Sequence, residues 1–420
     1  MDNPERARIL QGMTQASKIL IVGGGLNGAA LALALAQTGH SICVIDTLGE
    51  KLRKNAAFDG RSYALALASK RLLDAIGVWE RVEKHAQPML EIKVTDGHAG
   101  IGPSPFFMHF DHAEIEEGPM GYMVEDRHLR RAFLEAMRQD KGITQINGRT
   151  VVSQQVDATV VTLTLDDGAT VEGHLIVGCD GRSSGTASRA GIKRTGWDYG
   201  QTALVCAIEH DLPHHGIAHQ FFMPPGPLAI LPLTGNRSSI VWSERTEVAQ
   251  RINALPEAEY LQVLRPRFGD FLGDIRLQGD RFTYPLNLTI ANSFISDRLA
   301  LVGDAAHGMH PIAGQGLNAG LRDVGALAEV LTLAGRRGED IGSVLVLERY
   351  QEWRRFDTAS LAMATDVFNK LFSNDNPLLR LGRDIGMGIV GSLPGLRRGF
   401  VREAAGLTGD LPKLLQGRAI

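Results

Sequence analysis

Three glycines and an aspartate near the start of the chain have the spacing of a phosphate-binding loop. Gly23, Gly25 and Gly28 form a G-x-G-x-x-G pattern between the apolar run 18–22 and an Ala/Leu-rich segment. The first glycine permits a tight turn, the second lets a phosphate approach the backbone, and the third lets helix and strand pack closely. Asp46 ends the next apolar run, where its carboxylate can accept from a ribose hydroxyl. The pattern predicts a dinucleotide site; the alternative is a glycine-rich packing turn.

A second stretch, residues 298–323, has the features of another anion-binding turn. An apolar run leads into Gly303 and Asp304, and a glycine pair, Gly314 and Gly316, then opens a predicted helix. The first N–H groups of a helix lack intrahelical partners, and the helix dipole places partial positive charge there. Such an end suits an anion or the anionic part of a ring. The alternative is an ordinary strand-to-helix turn of an α/β fold.

Other polar positions are open to two interpretations. Arg61 follows Asp59 and a glycine, and its planar charge could meet a pyrophosphate; the alternative is a solvated surface arginine. Asp180 and Gly181 end an apolar strand. Four histidines between 210 and 219 lie around a proline and a glycine, a pattern that indicates surface histidines on a loop rather than a metal site.

Composition excludes several classes of protein. The chain has 420 residues and a net charge of −3, which provides no general attraction for nucleic acid. Its three cysteines lie far apart without a C-x-x-C, which favours a reducing cytoplasm over a disulfide framework. No apolar run reaches the ~18 residues that span a bilayer, and the first residues do not resemble a signal peptide. We expect a protein that is soluble or bound to a membrane surface.

The pattern of apolar residues predicts an α/β fold with a second, antiparallel part. A βαβ unit begins the chain, and helix-like segments follow up to about residue 76 and near 129–137. Residues 151–181 alternate as a β-meander, and 197–288 read as short strands with one helix near 256–268. Beyond 323 the chain becomes helical. We therefore expect a nucleotide-binding domain that carries an inserted antiparallel sheet.

These motifs resemble, in order and spacing, the signatures of single-component aromatic hydroxylases that use FAD. The segment from His310 to Asn318 with Asp323, residues 121–125 and 226–233, and Tyr350 with Arg354 are similar to the ubiquinone-biosynthesis branch. The resemblance implies a p-hydroxybenzoate hydroxylase-like fold: a Rossmann-like FAD-binding domain, an inserted antiparallel β-sheet substrate domain and C-terminal helices. It places the FAD-binding domain at 18–78, 121–190 and 296–372, the substrate domain at 79–120 and 191–295, and a helical tail at 373–420.

The resemblance also implies roles for individual residues. Gly23, Gly25 and Gly28 would hold the FAD pyrophosphate, and Asp46 the adenosine ribose. Arg61 and Arg127 would lie along the cofactor, and Asp180 with Gly181 would help shape the groove that FAD and the nicotinamide cofactor share. Asp304 would hold the ribityl chain or the pyrophosphate side. The pyrimidine end of the ring would face Gly314, Gln315, Gly316, Leu317 and Asn318, and Pro311 would lie near the reacting face. One departure is Ala187, where the family pattern has an arginine; Arg189 is the nearest substitute.

The implied reaction is hydroxylation of the ring of a polyprenylated phenol in ubiquinone biosynthesis. FAD reduced by NADPH or NADH would react with O2 to a flavin hydroperoxide, so no catalytic side chain is predicted. His307 is expected to pack and fix its loop, with a proton relay as the alternative. Two other functions stay open: hydroxylation of a small soluble aromatic acid, and a non-catalytic flavin-bound scaffold of a biosynthetic complex.

Residues 376–402 mix apolar side chains with five arginines and one aspartate. Such a segment suits an anionic membrane surface or an acidic partner, including partner proteins of a ubiquinone-biosynthesis complex. The alternative is a C-terminal helix that covers the fold. The expected location is cytoplasmic, with peripheral contact to the inner membrane.

Overall fold

A computed structural model describes residues 19–49, 57–98, 102–223, 225–308, 315–372 and 394–420. The strands are β1 (Ile19–Val22), β2 (Ile42–Asp46), β3 (Ser62–Ala66), β4 (Ala86–Met89), β5 (Glu91–His98), β6 (Gly102–Asp111), β7 (Gly121–Glu125), β8 (Ile143–Asn147), β9 (Val151–Val156), β10 (Val161–Leu165), β11 (Thr170–Gly173), β12 (Leu175–Gly178), β13 (Arg194–His210), β14 (Ile217–Phe222), β15 (Leu228–Leu233), β16 (Arg237–Arg245), β17 (Ile275–Ala291), β18 (Ile295–Ser296), β19 (Leu299–Leu301) and β20 (His307–Gly308). The helices are α1 (Leu26–Ala36), α2 (Leu67–Ala75), α3 (Trp79–Val82), α4 (Asp126–Gln139), α5 (Gly185–Arg189), α6 (Thr246–Asn253), α7 (Glu257–Phe268), α8 (Gln315–Arg336), α9 (Val344–Phe372) and α10 (Pro394–Ala404).

A six-stranded sheet forms the nucleotide-binding half, in the order β18-β19-β12-β1-β2-β8. Its strands run parallel except for β18. All residues of β1, β2, β12 and β19 are buried, as expected of parallel strands that are covered on both faces; helices α1 and α8 and the meander β9–β11 share their core cluster. The carboxyl ends of these four strands meet at one edge, so the turns that follow them come together.

An eight-stranded sheet forms the other half, in the order β20-β17-β13-β16-β15-β14-β5-β6. One face carries large residues, including Leu204, Ile240 and Trp242, in the core beneath α6 and α7. The opposite face carries small buried residues such as Ala203 and Ser243. A three-stranded sheet, β3-β7-β4, packs against this second face through a shared apolar cluster. The structure therefore confirms the predicted fold class, an α/β nucleotide-binding domain with an inserted antiparallel sheet.

Some predicted elements differ from the observed ones. Residues 62–66 are strand β3 rather than the start of a helix, because they pair with β7. The single helix expected near 256–268 is preceded by a second one, α6, and Pro256 stands at the start of α7. The end of the predicted meander, β12, belongs to the parallel sheet.

The expectation that all four loop histidines lie on the surface is wrong for His210. This side chain is buried, with Nε2 3.0 Å from Ser238 Oγ and Nδ1 2.7 Å from Leu212 O. Both ring nitrogens are therefore satisfied by the protein.

The C-terminal residues 405–420 pack into the nucleotide-binding half. Leu414 and Leu415 are buried in its core cluster, and Lys413 N donates to Glu329 Oε2 of α8. At the start of α2, Ala68 N donates to Ala405 O. In the part of the chain that the structure describes, no helix is long and apolar enough to cross a membrane.

We predict that Leu415→Ala lowers the free energy of unfolding by about 2–5 kcal/mol, because it leaves a cavity in a closed core. Leu415 is 1% exposed and lies against Gly325 of α8. The matched control is Leu345→Ala, at a position 74% exposed, with an expected change within about 0.5 kcal/mol. Urea unfolding measures both; equal midpoints for the two variants would contradict a structural role for residues 405–420.

Candidate cofactor site

In the glycine loop after β1, two glycines have no room for a side chain and the third has room. Gly23 has φ +100°, and a Cβ there would lie 2.4 Å from Cys179 O. A Cβ on Gly28 would lie 1.9 Å from Gly23 O. A Cβ on Gly25 would meet no atom within 4 Å in the part of the chain that the structure describes. Gly23 and Gly28 therefore serve packing, whereas Gly25 faces free space that a phosphate could occupy.

The start of α1 faces this free space without a competing group. Its first residue follows Gly25, no side chain caps it, and no acidic residue lies in its first turn. The partial positive charge of the helix end is therefore left for an anionic ligand.

Asp46 is buried and already holds the loop. Its Oδ2 accepts from Gly24 N and its Oδ1 from Leu48 N, both at 2.7 Å. A carboxylate oxygen can accept a second hydrogen bond, so the predicted contact with a ribose hydroxyl is compatible with this arrangement.

The acidic turn after β19 lies beside the loop that follows β12, and two arginines connect them. Arg194 Nη2 donates to Asp304 O at 2.7 Å and its Nη1 to Arg182 O at 2.6 Å. Arg182 Nε lies 3.4 Å from the Asp304 carboxylate, which is 39% exposed. The turn is thus held by its backbone, and its carboxylate stays accessible to ligand hydroxyls.

Sequence reasoning missed Arg182 and Arg194. Arg182 directly follows Asp180 and Gly181, and this position next to the motif could have identified it as a site residue. Arg194 lies at the first residue of β13, and no local pattern distinguishes it.

The buried carboxylate of Asp323 holds the acidic turn through its backbone. Asp323 Oδ2 accepts from Gly303 N at 2.9 Å and lies 2.6 Å from His307 Nε2, while Oδ1 accepts from Arg354 Nε at 2.8 Å. Burial acts to raise the pKa of Asp323, but His307 and Arg354 outweigh it and hold that pKa below its ordinary value. His307 therefore fixes its loop, in agreement with the packing interpretation.

Asp180 shapes its loop rather than presenting a free carboxylate. It accepts from Ser184 Oγ at 2.5 Å and from Thr186 N and Oγ1 at 2.9 and 2.8 Å. Arg189, the nearest substitute for the arginine that is absent at 187, donates to Val151 O and Gln154 Oε1 of β9.

The two arginines expected along the cofactor are bound to carboxylates of the protein. Arg61 Nη2 lies 2.6 Å from Asp59 and 3.4 Å from Asp126, with its side chain 38% exposed. Arg127 Nε lies 2.7 Å from buried Glu125. Their contacts with FAD stay predictions.

Helix α8 begins at Gln315, in line with the predicted helix start. A Cβ on Gly316, like one on Gly25, would meet no atom of the described residues within 4 Å. The Asn318 side chain accepts from Ala66 N (2.9 Å) and Ser69 Oγ (2.7 Å) and donates to Ala64 O (2.9 Å), so it connects α8 to β3 and α2. Gln315, Gly316 and Leu317 are described, whereas Pro311 and Gly314 lie outside the described residues.

These features fit a dinucleotide whose anionic and hydroxylated parts lie along one sheet edge. Gly25 leaves room at an uncapped helix start, Asp46 and Asp304 offer carboxylate acceptors, and Gly316 leaves room at a second helix start. The residues present are therefore compatible with FAD.

Comparison with known proteins gives concordant matches. A family model described as FAD binding domain matches residues 16–363. Ubiquinone hydroxylase UbiL of Rhodospirillum rubrum is 46% identical over 402 residues, 95% of this chain and 92% of that protein. The 3-demethoxyubiquinol 3-hydroxylase of Escherichia coli is 33% identical over 94% of this chain and 99% of that protein. The solved structure of p-nitrophenol 4-monooxygenase PnpA from Pseudomonas putida shares the fold, with a TM-score of 0.77 at 21% identity over 94% of this chain and 98% of that one.

Two glycine variants should separate cofactor binding from folding. Gly25 has φ −63°, which any residue adopts, so Gly25→Ala should change unfolding of the cofactor-free protein by less than about 1 kcal/mol. Its FAD dissociation constant should rise at least about tenfold, roughly 1.4 kcal/mol, because the methyl group occupies the phosphate space. Gly28→Ala, the matched control, should destabilise the fold itself by about 1–3 kcal/mol or more. Wild-type FAD affinity in Gly25→Ala would contradict the placement of the pyrophosphate.

A stacked histidine pair predicts a pH-dependent loss of stability. The His85 and His128 rings lie 3.8 Å apart, near Glu125 and Arg127. Burial, followed by the neighbouring His85, lowers the pKa of His128 from 6.5 to about 4. The unfolded chain binds this proton more tightly, so stability is intact above about pH 6.5 and falls towards pH 4.

His128→Gln should lose less stability than wild type between about pH 7 and pH 5, measured by urea midpoints. His215→Gln, at an exposed position, is the matched control. The same pH-dependent loss in wild type and His128→Gln would rule out this role of His128.

Proposed function

We propose that this chain hydroxylates the aromatic ring of a polyprenylated phenol in ubiquinone biosynthesis. The premise is its family: the chain belongs to the family defined by the FAD binding domain. The protein is an FAD-dependent monooxygenase. Bound FAD supplies the redox chemistry, namely reduction by NADPH or NADH and activation of O2. The observation that carries the proposal is the match of 95% of the chain to a named ubiquinone hydroxylase, together with a sheet edge that fits the cofactor.

The chain's own residues would hold and orient the cofactor. Gly25 and the start of α1 would receive the pyrophosphate, Asp46 a ribose hydroxyl and Asp304 a ribityl hydroxyl. The start of α8, from Gln315 to Asn318, would place backbone N–H groups and a partial positive charge at the pyrimidine end of the ring system. Such charge stabilises a nearby anion by about 0.3–1 kcal/mol, and by up to about 2 kcal/mol where partly buried.

The small-residue face of the eight-stranded sheet supports a place for the substrate ring. Ala203 of β13 pairs with Ser243 of β16 on one side and with Tyr284 of β17 on the other. Ala203 and Ser243 are buried, yet Tyr284 is 42% exposed, so this row borders an opening. Small side chains here would let a planar ring approach this face, whereas the opposite face is filled by Trp242 and its neighbours.

We also propose the domain division 18–78, 121–190 and 296–372 for FAD, 79–120 and 191–295 for substrate, and 373–420 as a C-terminal tail. The six-stranded sheet takes its strands almost entirely from the first set and the eight-stranded sheet mainly from the second. The tail's last part packs on α2 and α8, in support of the alternative that it covers the fold.

A prenyl tail avoids water by about 0.8 kcal/mol per buried CH₂, so the substrate must be met at a cytoplasmic membrane surface or passed on by a partner protein. Of residues 376–402, those from 394 onwards are described. Arg397 lies 2.7 Å from Glu114 and Arg402 2.8 Å from Glu117, so these two charges hold α10 to the protein. Contact with a membrane would rest on outward-facing groups such as Phe400, together with residues outside the described part of the chain.

The decisive experiment compares substrates with the FAD-loaded protein, NADPH or NADH, and isotopically labelled O2. We expect a phenol with a short prenyl chain to gain one labelled oxygen atom, with a kcat/KM at least about tenfold above that of the corresponding unprenylated acid. Preference for the acid would favour a hydroxylase of soluble aromatic acids. Flavin reduction without labelled product from any phenol would favour a scaffold.

A further inference from the structure

Asn27 places a side-chain amide where three elements of the cofactor site meet. It lies in the first turn of α1, next to the glycine loop. A Cβ built on Gly303 of the acidic turn would lie 2.3 Å from Asn27 Nδ2, and a Cβ on Gly320 of α8 would lie at the same distance. Two glycines on different elements therefore make room for this one side chain.

Among the residues that the structure describes, the amide has no hydrogen-bond partner. Asn27 Oδ1 is buried and unpaired, and no residue that the structure describes bonds to Nδ2. Buried polar side-chain atoms are nearly always paired, because an unpaired one loses its hydration without compensation. An apolar residue would fill this position without that cost, so packing alone does not account for an asparagine here.

A nearby asparagine shows the contrasting case. Asn318 of α8 uses both ends of its amide within the protein, with Ala66 N, Ser69 Oγ and Ala64 O as partners. Its role is to connect α8 to β3 and α2. Asn27 makes no such connection, although it lies at an equally central position.

We propose that Asn27 binds FAD through a hydroxyl of the ribityl chain. An amide both accepts and donates, and a hydroxyl can match it in both directions. A phosphate oxygen only accepts and would leave Oδ1 unpaired. The position agrees, since Gly303 precedes Asp304, which is expected at the ribityl chain or at the pyrophosphate beside it. The inference rests on the FAD part of the proposed function and holds whichever ring is hydroxylated.

The test measures cofactor-free and FAD-bound protein separately. Asn27→Leu keeps the volume without the hydrogen bonds, so the melting temperature of the cofactor-free variant should equal or exceed that of wild type. Its FAD dissociation constant, from flavin fluorescence, should rise about 3- to 10-fold, as for a lost neutral hydrogen bond. The stabilisation that FAD adds should shrink accordingly. Asn318→Leu is the matched control, and its cofactor-free form should melt at lower temperature because Ala66 N and Ser69 Oγ lose their acceptor.

An unchanged dissociation constant, with equal falls in melting temperature for the cofactor-free and FAD-bound forms, would overturn the proposal and make Asn27 a packing residue. If Asn27→Leu does not fold, Asn27→Ala decides by the same dissociation constant. The substrate comparison is independent of this test. A wild type that binds FAD but hydroxylates no phenol would overturn the proposed reaction and leave the role of Asn27 to be decided here.

Discussion

The buried carboxylate of Asp323 is the interaction on which the geometry of the cofactor site depends. It accepts hydrogen bonds from the acidic turn and from Arg354 of α9, and contacts His307. A buried charge is tolerated only when it is well paired, and removing one partner of such a pair typically costs about 3–5 kcal/mol. The turn that presents Asp304 therefore cannot move without exposing or unpairing this charge. Asp304 owes its position to a residue that does not itself reach the cofactor space.

Around this anchor, the site is assembled from turns that are distant in sequence and adjacent in space. Parallel pairing brings the ends of β1, β2, β12 and β19 to one edge. Arg194 then connects the turns after β12 and β19 through their carbonyl oxygens, which leaves the carboxylate of Asp304 accessible. The protein fixes the backbone with its own polar groups and keeps free the space beside Gly25 and Gly316. This division suits a cofactor that performs the redox chemistry while the chain supplies position and field.

Local sequence patterns predict much of the fold, but they do not predict which residues pair with the charged side chains. The glycine loop, the strand that ends at Asp46 and the helix α8 each lie within one short segment of the chain, so local residue spacing predicts them. Strand β3 is stabilised by pairing with β7, a contact between segments about sixty residues apart, and its sequence alone reads as helix. Glu125 pairs with Arg237 of β16, more than a hundred residues away, and the role of Arg194 depends on two turns that meet only in the folded chain. Three-dimensional pairing decides these roles.

The order of strands in the parallel sheet also sets when the site can form during synthesis. Strand β1 is made first, but its neighbours include β12, and β12 pairs in turn with β19 at residues 299–301. The glycine loop is packed against Cys179 and the acidic turn against Asn27, so neither side of the site is complete alone. Residues 405–420 then close the core over α2 and α8. A ribosome-bound chain that has emerged only through the first βαβ unit therefore has the motif without the pocket, because the pocket also needs β12, β19 and residues 405–420.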